Sequence, residues 1–98
     1  MTDEDDRWLV IDGRRWRKTD PSLPADVVET LKSHLGRGRS GVRHAKGDAE
    51  ATAAARRRVD LAKHGLGERG PKWWESSEED RLARAREAIA TLDALDRA

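Results

Sequence analysis

Eight cations crowd the middle of the chain: Arg37, Arg39, Arg43, Lys46, Arg56, Arg57, Arg58 and Lys63. A second group, Arg14, Arg15, Arg17 and Lys18, precedes them and surrounds Trp16. Clustered guanidinium and ammonium groups neutralise phosphates and require little else of the sequence, so the pattern is permissive rather than specific. It equally describes the solvated face of helices rich in Ala and Arg. Arg56, Arg57 and Arg58 are consecutive, and neighbours on a helix point about 100° apart, so one strip cannot hold all three. The residues that read best as an anion or partner contact are Arg14, Arg15, Arg17, Arg39, Arg43, Arg57, Lys72 and Trp73.

The aromatic complement is four Trp with no Phe or Tyr. Trp73 and Trp74 beside Lys72, and Trp16 among its cations, have the chemistry to stack on bases. Packing is the competing use, because a small chain without Phe or Tyr needs the area a Trp buries. Trp16 and Trp74 are expected inside, with Trp8 or Trp73 partly exposed. Trp16, Trp74, Gly13 and Glu68 are the expected structural residues.

Other chemistry is harder to find. His34, His44 and His64 lack HxxxH or HxH spacing, and two imidazoles without a carboxylate make a poor site, so no metal is expected. The Gly65–Gly70 run follows a helix pattern and lacks the Gly-Lys-Ser/Thr ending of a phosphate loop. No Ser/His/Asp motif or carboxylate pair stands out. The expectation is a protein that is not an enzyme, with no cofactor and no evident small-molecule substrate.

Ninety-eight residues make one domain, and with 40% charged against 36% hydrophobic residues its core must be small. The formal net charge of +1 hides an uneven distribution: −3 over residues 1–30, +6 over 31–65 and −2 over 66–98. A basic centre between acidic ends meets an anionic partner or is neutralised by its own termini. There is no cysteine, no apolar run near the roughly 20 residues of a membrane span, and the start MTDEDD is unlike a signal peptide. These features suggest a soluble cytoplasmic protein without membrane association.

The elements that must position these groups are legible from periodicity. Residues 1–6 read as a disordered lead-in. Asp12-Gly13 between Trp8–Ile11 and Arg14–Thr19 is a strong hairpin signal, because a type I′ turn needs φ > 0 at both central residues. The implied register pairs Trp8 with Arg17, Leu9 with Trp16, Val10 with Arg15 and Ile11 with Arg14. A cation–π contact between Trp8 and Arg17 follows from it.

Residues 24–65 read as an antiparallel helical hairpin bent at Gly47-Asp48. Its first arm carries Val28, Leu31, Leu35, Gly38, Val42 and Ala45 at alternating spacings of three and four. Gly36, Gly38 and Gly41 interrupt it, so the helix either stops at Leu35 or continues to about Lys46. The unbroken apolar phase favours continuation. The second arm places Ala51, Ala55, Val59, Ala62 and Leu66 on one face, and antiparallel pairing brings His34 near Asp60 and Lys32 near Asp60 or Lys63. A Trp-Trp loop over 66–75 leads to a capping box at Ser76 or Ser77, then a C-terminal amphipathic helix over 77–96 with Leu82, Ala85, Ile89, Leu92 and Leu95 as its stripe. The fold class is α+β, mostly α.

Two segments resemble a known family. Gly13-Arg14-Arg15-Trp16-Arg17-Lys18-Thr19-Asp20-Pro21 and Leu66-Gly67-Glu68-Arg69-Gly70-Pro71-Lys72-Trp73-Trp74-Glu75 resemble a family of bacterial proteins of about this length. Its members carry a GRRWRxTDP segment, a central Ala/Arg-rich helical region and an LGERGxxWWE segment, and are often labelled "biopolymer transporter Tol". The likeness covers nearly the whole chain and implies no catalytic residue. It also implies one continuous first helix, where this chain departs by placing Gly36 to Gly41. From residues and resemblance together, the expected function is a non-catalytic protein-interaction module that docks a protein partner or a second copy of itself. A nucleic-acid-associated role using the basic central helices is the alternative.

Overall fold

The computed structural model describes residues 4–97. Among the described residues a short 3-10 turn (Glu4–Arg7) leads into strands β1 (Trp8–Ile11) and β2 (Arg14–Arg17). Helices α1 (Ala25–His44) and α2 (Ala49–Leu66), a second 3-10 turn (Trp73–Glu75) and helix α3 (Glu78–Arg97) follow. This is the mostly helical α+β arrangement expected from the periodicities. Of the lead-in expected to be disordered over 1–6, residues 1–3 lie outside the described residues. Residues 4–6 instead enter the first turn, because Lys18 N–H donates to the Arg7 carbonyl at 2.9 Å and extends the hairpin ladder.

The hairpin has the expected register, with Trp8 opposite Arg17, Leu9 opposite Trp16, Val10 opposite Arg15 and Ile11 opposite Arg14. Asp12 at φ 52° and Gly13 at φ 79° form its turn. The cation over Trp8 is Arg15, 4.3 Å from the ring, and not Arg17. Strand twist brings this diagonal neighbour over the ring, while the Arg17 guanidinium reaches away to donate to the Pro71 carbonyl at 3.0 Å.

Helix α1 runs unbroken through its glycines. The reason is close packing. A Cβ on Gly38 would lie 2.7 Å from Val59 Cγ2 and 3.2 Å from the Ala55 carbonyl oxygen, so the small residue sets how near α2 can come. Asp48 caps α2 by accepting from Ala51 N–H at 3.0 Å, and Ser77, of the two candidates, caps α3 by accepting from Asp80 N–H at 3.1 Å.

The core is a single cluster of Leu23, Val27, Leu31 and Leu35 with Ala62 and Leu66 from α2 and Ala85, Ala88 and Leu92 from α3. Val27, not Val28, is the fully buried residue of the first turns, which rotates the α1 seam toward α3. Ala51 is exposed rather than part of a seam. Asp96, near the end of α3, meets Arg37 and Arg58. Ala51 lies two turns farther toward the bend, where only two helices pair.

The two sequence segments that carry the resemblance meet in space. Thr19 Oγ1 donates to Glu68 Oε2 at 2.8 Å, Asp20 N–H to the Leu66 carbonyl at 2.9 Å, and the Trp73 indole N–H to the Lys18 carbonyl at 3.1 Å. Asp20 is buried at 2% exposure; it accepts from Ser22 N–H and Oγ, and faces Arg81 Nε of α3 at 3.3 Å. Glu68 thus accepts a hydrogen bond that links the loop after α2 to the end of the hairpin. The tryptophan assignment changes, however. Trp73 is buried, Trp74 and Trp8 are half-buried, and Trp16 is 38% exposed. Trp8, Trp74 and Trp73 form an edge-to-face chain with centroids 5.7 and 5.1 Å apart that pins the hairpin to the start of α3. Trp16 lies across the ladder from Leu9, outside that chain.

Candidate functional site

Charge on the helical hairpin is resolved unequally on its two sides. On the side facing α3, Arg37 and Arg58 both pair with Asp96, Arg37 at 3.0 Å. Their guanidiniums also reach Nδ1 of the buried His34, each at 2.7 Å. A guanidinium only donates, so Nδ1 accepts and the ring proton sits on Nε2, which donates to Asp93 Oδ1 at 3.3 Å. The hydrogen bond from Arg58 holds the Asp96 carboxyl below its ordinary value of 3.8; desolvation opposes it, and the hydrogen bond from Arg37 adds to it. His34, Asp93 and Asp96 bring three potential metal-ligand atoms within 4.8 Å. Arg37 and Arg58 occupy the same atoms and bring positive charge with them, which makes the cluster an ion-pair network. The expected approach of His34 to Asp60 does not occur, because Asp60 turns to the loop and pairs with Arg69 at 2.9 Å.

The other side is left positive. Arg39 and Arg43 of α1, Arg56 of α2 and Arg69 of the following loop line an open cleft of about 510 Å³ floored by Val42 and Val59. Arg39, Arg43 and Arg56 have no carboxylate partner among the described residues. Burial, then the nearby charges of Arg69 and Arg39, hold Lys63 below its ordinary value of 10.5, with Glu68 acting weakly the other way. Burial is the larger cause, and the two arginines add to it.

A second cleft of about 380 Å³ adjoins the first and shares Arg39. Its other walls are Leu9, Ile11, Trp16 and Arg17 from the hairpin, Thr19 just after it, Lys63 from α2 and Glu68 from the following loop. Leu9 is 46% and Ile11 55% exposed, so the apolar face of the hairpin overhangs the helices without closing on them. Lys63 Nζ stands 5.1 Å and the Arg14 guanidinium 4.9 Å from the Trp16 ring.

The structure thus brings together part of the sequence-level set. Arg39 and Arg43 share one cleft, and Arg17 joins Arg39 along the second. Arg14 sits at the margin over Trp16. Arg15 lies over Trp8 on the opposite hairpin face. Arg57 is exposed but lines neither cleft. Lys72 stands 5.8 Å from the Trp74 ring, and Trp73 is buried and unable to stack on a ligand. Arg69 is not among the contacts expected from the sequence, because it lies away from the charge run. Leu9 and Ile11 are also missing from the expected contacts, since alternation cannot reveal that a sheet face is left open. Comparison of the chain with family models, curated proteins and solved structures found no match.

Proposed function

We propose that this protein is a non-catalytic interaction module that docks a protein partner across the basic cleft and the overhanging face of the hairpin. The supporting observation is the continuity of exposed Leu9, Ile11 and Trp16 with Arg39 and Lys63 around one cleft. Apolar anchors bordered by cations suit a partner segment that is acidic and carries an aliphatic or aromatic side chain. No helix among the described residues is long and apolar enough to cross a membrane.

Co-purification of tagged protein from cells tests this reading. Ile11→Glu combined with Arg39→Glu is expected to lose the partner that the wild type retains, whereas Arg86→Glu on the exposed side of α3 keeps it. A partner held equally by the face variant contradicts the proposal.

A nucleic-acid-associated role is the second reading, favoured by Arg39, Arg43 and Arg56, which have no carboxylate partner among the described residues, near an exposed Trp16. Phosphate-driven binding weakens steeply between low and physiological salt. Absence of binding to labelled DNA and RNA at low salt would remove this reading.

A further inference from the structure

We infer that the cleft formed by Arg39, Arg43, Arg56 and Arg69 is a binding site for a compact polyphosphate anion, of the class of inorganic pyrophosphate or the diphosphate of a nucleotide. Four arginines converge on this cleft. Arg39 and Arg43 are one helical turn apart on α1, Arg56 faces them from α2, and Arg69 closes the cleft from the loop, tethered by Asp60 at 2.9 Å. The close helix approach at Gly38 and Gly41 keeps the two walls near each other.

The charge balance sets the ligand class. Arg69 is already paired, which leaves three arginines without a carboxylate among the described residues. A single phosphate carries about −1.5 to −2 at neutral pH and falls short of them. Two linked phosphoryl groups supply more charge and more acceptor oxygens than one, and the cleft of about 510 Å³ is lined by arginines from both helices. Arginine's fixed fork of donors suits phosphoryl oxygens, and the floor of Val42 and Val59 offers no competing acceptor side chain.

The site stands independently of the protein-docking proposal, since its test contains no partner. Isothermal titration of the full chain at low ionic strength uses inorganic pyrophosphate, ADP and inorganic phosphate as probes. Pyrophosphate is expected to bind saturably, and inorganic phosphate about tenfold more weakly. Arg39→Gln and Arg56→Gln are each expected to weaken pyrophosphate about tenfold or more, with Arg57→Gln unchanged. Circular-dichroism melts confirm that the variants are folded. Binding of ADP as tightly as pyrophosphate identifies the diphosphate as the recognised unit whatever its source. Failure of ADP beside binding of pyrophosphate restricts the site to the free anion. No saturable binding of pyrophosphate overturns the inference, and so does an Arg57→Gln loss equal to that of Arg39→Gln.

Discussion

Gly36 and Gly38 are two residues apart on one helix, yet they answer to opposite forces. A methyl at Gly36 meets open space, whereas one at Gly38 strikes Val59 and the α2 backbone. Gly36→Ala is expected to stabilise by about 0.5–1 kcal/mol through helix propensity. Gly38→Ala is expected to destabilise by about 1–3 kcal/mol through overpacking, and denaturant midpoints of the two variants check the contrast. The tryptophans divide in the same way. Trp73→Ala empties a buried site and is expected to cost about 3–5 kcal/mol, while Trp16→Ala should cost clearly less because that ring stands partly in solvent. Equal losses in chemical denaturation would contradict the assignment of Trp73, rather than Trp16, to the interior.

At the level of elements, the decisive event is where α3 lies. It covers the His34, Arg37 and Arg58 side of the hairpin with Asp93 and Asp96, and leaves Arg39, Arg43 and Arg56 without a carboxylate partner among the described residues. The lowered Asp96 fixes the sign of a pH test. A folded carboxyl held below 3.8 adds stability that is fully present above that value and is lost as pH falls through the lowered one. Asp96→Asn should therefore lower the melting temperature at neutral pH, and the gap to wild type should close in strong acid. Lys63 works in the reverse direction. Its charged form is disfavoured in the fold, so below its lowered pKa it subtracts stability, and the penalty fades as pH rises toward 10.5. Lys63→Gln should raise the melting temperature at neutral pH and give no gain near the upper limit.

Much of this element-scale layout was legible. Asp12-Gly13 and strand alternation specified the hairpin register, and continuous apolar phase carried α1 through its glycines. The side taken by α3 was not legible, because Arg37 and Arg39 are alike as residues and differ only in which side receives Asp96. Trp16 misled for a related reason: its apolar area argued for burial, but nothing local showed that its hairpin face stays open. The clasp of Thr19 on Glu68 joins residues 49 positions apart and leaves no periodic trace.

Across the whole molecule, which extends 47 × 32 × 20 Å, the account amounts to one neutralised side and one cationic side with an apolar overhang. The resemblance-bearing segments join hairpin, α2 and α3, which gives them a part in the architecture. Binding is expected on the opposite side of the helical hairpin from α3. Position-resolved photo-cross-linking in cells tests that claim most directly, with the photoreactive residue at Ile11, at Val42 or at Arg86 of α3. The account predicts a common adduct from Ile11 and Val42 and none from Arg86. Adducts from Arg86 alone, with none from Ile11 and Val42, would contradict it.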